Sequence, residues 1–223
     1  MKPWRRFSGF LLTIITCYTT VVQSQNLLVV GDSLSASYNI PLEQGWVELM
    51  KNKLQQEQID IRVVNASISG ETTGNALKRL PDLLARHEPA IVVIELGGND
   101  GLRGFGLDSI KGNLNRMIEL SKASGATVVL TGIHIPPNYG PAYTQVFYQA
   151  YLELSERHNT FFVPFILQDI GDKPELMQAD GVHPTADAQP QVLNNMWPTI
   201  KSAIEKVLAT PQEETPAAPA MVN

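Results

Sequence analysis

The chain has a single cysteine, Cys17, and only four histidines in 223 residues. One thiol cannot form an intramolecular disulfide, so the fold must rest on its core, and a chain of this length can bury one. The histidines form no metal-like cluster, and no metal or cofactor motif is present. Long apolar runs are also missing, with one exception near the start. There, Lys2, Arg5 and Arg6 precede the uncharged stretch "FSGFLLTIITCYTTVV" and the exit "VQSQ". This pattern reads as a secretory signal peptide over residues 1–24, cleaved after Ser24, and it is too short for a comfortable membrane span. An uncleaved anchor, a twin-arginine signal on Arg5-Arg6 and a lipid on Cys17 are the weaker readings. The expected destination is the periplasm, with no stable membrane insertion after cleavage.

Basic residues are the minority. Losing Lys2, Arg5 and Arg6 leaves 14 basic against 22 acidic residues, or −8. That balance argues against a nucleic-acid partner and against purely electrostatic attachment to a membrane. Residues 209–223, "ATPQEETPAAPAMVN", lack any apolar period and read as a disordered tail. No repeat or linker interrupts residues 25–208, which form one expected domain.

Within that domain, apolar runs alternate with amphipathic segments. Strands are expected at residues 27–30, 61–67, 90–96, 126–133 and in "TFFVPF", where Pro164 points to a sheet edge. Residues 42–56 place Leu42, Trp46, Leu49, Met50 and Leu54 on one helical face. A second helix follows Thr72 or Thr73 as N-cap, with a kink or break at Pro81. Further helices are expected over 108–123, 142–158 and from about 187–190 to 208, the last interrupted at Pro198. The stripe Tyr143, Phe147, Tyr151 and Leu154 reads as core packing. This alternation predicts an α/β fold: a three-layer, doubly wound, five-stranded parallel sheet, with the flavodoxin-like order 2-1-3-4-5 as the common solution.

In such sheets ligands collect at the carboxyl ends of the strands. The segments expected there are "GDSLS", "SISGETTG", "GGNDGLRGFG", "HIPPNYGP" and "QADGVHP". Each alone has a plain structural reading. Asp32 and Ser33 could cap a helix, Gly70 could serve a turn, and Asn99 could be a left-handed turn residue. "DGVHP" sharpens the picture, because Asp180 and His183 are close enough for the carboxylate to hold Nδ1 and leave Nε2 as a general base. A base of this kind needs a hydroxyl, and Ser33 is the candidate nucleophile. The backbone amides of Ser33 and Gly70 and the side-chain amide of Asn99 suit an oxyanion hole. Ser35 and Ser37 read as turn and helix-start residues, His87 and His158 as satisfying helix-end carbonyls, and His134 as structural or solvent-exposed, with substrate contact as the alternative.

These four blocks, "GDSLS", "SISGETT", "GGND" and "DGVHP", resemble those of the SGNH (GDSL-type) hydrolases. The resemblance runs from about residue 26 to the last helix. "NASISGETT", "ELGGNDGLRG", "PPNYG" and "DGVHPTADAQP" are similar to the branch of periplasmic acyl-CoA thioesterases, lysophospholipases and arylesterases. It implies Ser33 as nucleophile, His183 as base and then acid, Asp180 as its orienter, and Ser33, Gly70 and Asn99 as oxyanion donors. It also implies a small acyl ester or thioester as substrate, with no cofactor and no metal; a monomer is expected because the sequence shows no heptad or obvious interface patch. In that branch residues 100–106 form a lip over the acyl chain, and Leu102, Phe105 and Ile135 are expected to line it. Ser37 departs from the pattern, which tends to have glycine there. The competing readings are a flavodoxin-like nucleotide-binding module, with "SLSAS" cradling a phosphate, and a ligand-binding protein without catalysis.

Overall fold

The computed structural model describes residues 25–210. The expected leader lies outside the described residues, as does the tail beyond Thr210. The elements are β1 (Gln25–Gly31), α1 (Trp46–Gln56), β2 (Ile61–Asn65), α2 (Thr73–His87), β3 (Ile91–Glu95) and α3 (Gly98–Leu102). They continue with α4 (Leu107–Ala123), β4 (Thr127–Thr131), α5 (Pro141–His158), β5 (Phe161–Val163) and α6 (Gln189–Ala209).

The five strands form one parallel sheet in the order β2-β1-β3-β4-β5. Alternation along β1 shows why the inner strands read as unbroken apolar runs. Leu27 and Val29 face a core shared with Trp46 and Met50 of α1 and Val192, Met196 and Ile200 of α6. Leu28 and Val30 face the opposite layer, against Leu80 of α2, Met117 of α4 and Tyr151 of α5. With helices on both sides, neither face of the sheet can be polar. The α5 stripe is core, as its spacing indicates: Phe147, Tyr151 and Leu154 are fully buried, and the Tyr151 hydroxyl donates to the Leu96 carbonyl at 2.9 Å.

Three local expectations are corrected. Residues 42–56 are not one helix: a 3-10 turn at Leu42–Gln44 ends at Gly45, whose extended backbone starts α1 at Trp46, and Leu42 is exposed. Pro81 and Pro198 do not break their helices. Both are exposed, so each ring meets solvent, and each removes one i−4 hydrogen bond from a helix anchored by its apolar face. Strand β2 stops at Asn65 because that side chain turns to the backbone, accepting from the Ser67 amide and donating to the Ser35 carbonyl.

His158 is also corrected, since its Nε2 pairs with Asn115 Oδ1 at 2.7 Å rather than with a carbonyl. His134 stacks on Phe165 and lies against Tyr148, and this partial desolvation lowers its pKa while the residue stays exposed, which fits the structural or solvent-exposed reading. Because every strand is parallel, all five sheet-end loops emerge along one edge.

Candidate active site

Ser33 stands where β1 gives way to a tight turn, with the Ala36 amide bonded to the Asp32 carbonyl and the Tyr38 amide to the Ser33 carbonyl. Asp32 Oδ1 accepts the Leu34 amide, which fixes the start of that turn. Farther along, Ser37 has φ +59°. This left-handed position favours glycine, so the serine found here carries a strain of about 1 kcal/mol. It lies in the turn and does not begin a helix.

The base arrives from the loop between β5 and α6. Backbone bonds from the Gln178 amide to the His183 carbonyl and from the Thr185 amide to the Leu176 carbonyl close residues 177–184 into a small hairpin, turned at Gly181 with φ +66°. At its tip, Asp180 Oδ1 accepts the amides of Val182 and His183, while Oδ2 lies 2.7 Å from His183 Nδ1. His183 Nε2 lies 2.8 Å from Ser33 Oγ. Desolvation pushes the Asp180 pKa upward, but the His183 ring and the two amides outweigh it and hold the group down to about 2. Asp180 therefore remains an anion throughout the neutral range and fixes Nδ1 as the donor. The Tyr38 ring covers the imidazole at a centroid distance of 4.4 Å.

Gly70 and Asn99 come from the two neighbouring loops. Gly70 has φ +76°, a backbone conformation that L side chains resist, and its carbonyl accepts from Arg103 at 3.2 Å. Asn99 lies on α3 behind Gly97, which has φ +112° and faces the Tyr151 hydroxyl so closely that no side chain fits. One hydrogen of Asn99 Nδ2 goes to Asp32 Oδ2 at 3.0 Å, leaving the second free. Neither the Ser33 nor the Gly70 amide donates to an acceptor among the described residues. Asp100 ties these loops together, because its buried carboxylate accepts both the amide and the hydroxyl of Thr73 at the start of α2.

Below the turn lies a carboxyl pair that sequence reasoning missed. Glu95, at the end of β3, is fully buried. Its Oε2 accepts from Ser35 Oγ at 2.7 Å and weakly from the Asp32 amide at 3.4 Å. Ser35 is a turn residue, as expected, and it is also the buried anchor of that turn. Gly31 makes room for this contact, since a Cβ there would lie 2.7 Å from Ser35 Oγ and 2.9 Å from Glu95 Oε2. Burial, reinforced by the neighbouring Asp32, pushes the Glu95 pKa well above its ordinary value. Burial also raises Asp32, to about 6, against the opposing pull of the Leu34 and Asn99 hydrogen bonds.

Burial thus favours the protonated form of Glu95 in the folded protein. A folded pKa above the unfolded value means that its contribution to stability is largest below the unfolded pKa of about 4.3 and falls as pH rises. Glu95→Gln keeps an acceptor for Ser35 without that dependence. The melting temperature of Glu95→Gln relative to wild type should therefore rise as pH increases above about 4.3. A difference that stays constant with pH would contradict a raised Glu95 pKa.

The expected apolar lining is only partly present. Phe105 is exposed and Leu102 half-buried, whereas Ile135 is buried beneath Gly101 and supports α3 from below. Among the described residues, no group of three or more His, Cys, Asp or Glu could hold a metal ion, and no helix is long and apolar enough to cross a membrane. Chemically, a hydroxyl bonded to an oriented imidazole can be deprotonated as it attacks, and free amides nearby can receive a developing oxyanion.

Residues 29–189 match the model of the GDSL-like lipase/acylhydrolase family. The chain is 49% identical over 194 residues to esterase TesA of Pseudomonas aeruginosa, covering 87% of this chain and 96% of that protein. It is 39% identical over 187 residues to thioesterase 1/protease 1/lysophospholipase L1 of Escherichia coli, covering 84% and 88% respectively. The crystal structure of the psychrotrophic esterase EstA from Pseudoalteromonas sp., inhibited by monoethylphosphonate, superposes with a TM-score of 0.78. The two are 45% identical, over 81% of this chain and 99% of that one.

Proposed function

Because the chain belongs to the GDSL-like lipase/acylhydrolase family, we propose that it cleaves acyl esters and thioesters through an acyl-enzyme on Ser33. It is a serine hydrolase of the esterase and thioesterase type. The observation that carries the assignment of roles is the unbroken chain from Ser33 Oγ through His183 to Asp180, at 2.8 and 2.7 Å.

His183 Nε2 takes the Ser33 proton as Oγ bonds to the acyl carbon, and the carbonyl electron pair moves onto oxygen. The amides of Ser33 and Gly70 and the free hydrogen of Asn99 Nδ2 receive that oxyanion. As it collapses, the bond to the alcohol or thiol breaks and the leaving group takes the proton from His183. A water then gives its proton to His183 and attacks the acyl carbon, and Ser33 recovers its proton as the acid departs. Asp180 holds Nδ1–H and stabilises the imidazolium in both halves. The competing nucleotide-binding reading leaves the Asp180–His183–Ser33 chain without a role.

The leader sequence supports export to the periplasm with cleavage after Ser24. All the proposed catalytic groups lie in one chain, which supports a competent monomer acting on small acyl substrates without membrane insertion. The acyl-enzyme is tested by mixing the enzyme with excess p-nitrophenyl acyl ester under conditions where deacylation is slow. Expected is a burst of nitrophenol approaching one equivalent per enzyme, absent in Ser33→Ala. A burst of the same size in Ser33→Ala would refute the role of Ser33.

A further inference from the structure

The nucleophile and the base stand on loops 150 residues apart, and one side chain outside the reacting groups joins them. Gln178 lies at the foot of the hairpin that carries Asp180 and His183. Its Oε1 accepts from Asn39 Nδ2 at 3.0 Å, and its Nε2 donates to the Tyr38 carbonyl at 3.1 Å and to the Pro184 carbonyl at 3.0 Å. Tyr38 and Asn39 end the turn that begins at Ser33, and Pro184 follows His183 directly. One amide group thus holds both loops, while the Gln178 backbone closes the hairpin through the His183 carbonyl at 2.7 Å.

The partners are specific to this purpose. Asn39 has φ +55°, a left-handed conformation that asparagine tolerates better than other side chains with a β-carbon. That conformation belongs to the turn that directs its amide toward Gln178. The clasp also keeps Tyr38 in place, and the Tyr38 ring in turn covers the His183 imidazole. The hairpin makes only local backbone bonds of its own. Without the amide, the polar contacts between the two loops would be reduced to the bond between His183 Nε2 and Ser33 Oγ, beside the Tyr38–His183 ring contact and the packing of Leu34 and Met177 on one core.

We propose that Gln178 is a positioning residue whose side-chain amide sets the distance between His183 and Ser33 by clasping the base-bearing hairpin to the nucleophile turn. The inference rests on the serine hydrolase reading given above. Gln178 is half-buried and its partners Tyr38 and Asn39 are exposed, so the clasp lies at the rim and its loss should leave the two cores intact. Misplacement of catalytic groups by about 1 Å can lower rates by about 100-fold, and a loosened clasp should lower kcat by roughly 10-fold. KM should change less than about twofold, because Gln178 touches no proposed substrate-binding atom.

The test uses the full chain and the variants Gln178→Ala, Asn39→Ala and Gln178→Ala/Asn39→Ala. Steady-state kinetics on a p-nitrophenyl ester, the rate of fluorophosphonate labelling at Ser33 and the melting temperature are measured for each. Expected are lower kcat and slower labelling in Gln178→Ala, with KM and melting temperature near wild type. Asn39→Ala should have a smaller effect and add nothing in the Gln178→Ala background, as for two members of one bond network. Wild-type kcat and labelling in Gln178→Ala would overturn the proposal. So would fully additive losses, or a loss of kcat matched by a fall in melting temperature. A wild-type protein that does not label at Ser33 would instead overturn the serine hydrolase reading on which the inference rests.

Discussion

Ser33→Ala is expected to lower kcat on a p-nitrophenyl acyl ester by a factor of about 10⁶, with the melting temperature unchanged. The size of the effect follows from what the hydroxyl does. Without Oγ there is no acyl-enzyme, and His183 can at best activate a water for direct attack. The amides proposed to receive the oxyanion remain, so a residual acceleration of about 10³–10⁴ over the uncatalysed reaction should persist. Among the described residues the only side-chain bond of Ser33 is to His183, and the turn is held independently by Asp32, Ser35 and Glu95. Stability should therefore be insensitive to this change. His183→Ala should lose nearly as much, and the double variant no more than either alone, because base and nucleophile act as one unit. Steady-state kinetics and thermal melts on the three variants check this directly.

Asn99→Ala is expected to lower kcat by about 10²–10³ while KM moves little. A ground-state carbonyl draws weakly on the Asn99 amide. The full negative charge of the tetrahedral intermediate draws on it strongly, so its removal falls on the chemical step. Asp32 gives the amide its direction: it accepts one Nδ2 hydrogen and thereby presents the other. Removing Asn99 also deprives the buried Asp32 carboxylate of a donor that lowers its pKa, so Asp32 should titrate above its present value of about 6. The measurement is kcat and KM across pH 5 to 9 for Asn99→Ala and wild type. An unchanged kcat at every pH would remove Asn99 from the oxyanion hole.

The sheet was legible because burial on both faces leaves a plain mark: β1, β3 and β4 read as apolar runs, each followed by glycine or small polar residues. The site blocks were legible for a related reason. Chemistry at the end of a strand needs a turn, and turns need the glycines and asparagines that made "GDSLS", "GGND" and "DGVHP" visible. Glu95 was hidden inside the run "AIVVIEL", where it passed as the polar end of an apolar strand. Its meaning depends on Ser35 and Gly31, 60 or more residues away in sequence. Gln178 was hidden in the same way, since a glutamine in a loop gives no local sign of partners 139 and 140 residues earlier. The prolines misled in the other direction. Local propensity marked Pro81 and Pro198 as breaks, but both lie on the wet side of helices whose apolar faces are locked into the sheet.

The central claim is that Ser33 is made nucleophilic by His183. Its most direct measurement is the intact mass of the protein after treatment with a fluorophosphonate, followed by peptide mapping. The account predicts one adduct, placed on Ser33, with no adduct in Ser33→Ala and labelling slowed by orders of magnitude in His183→Ala. An adduct on Ser33→Ala at the wild-type rate, or labelling of His183→Ala as fast as wild type, would contradict it.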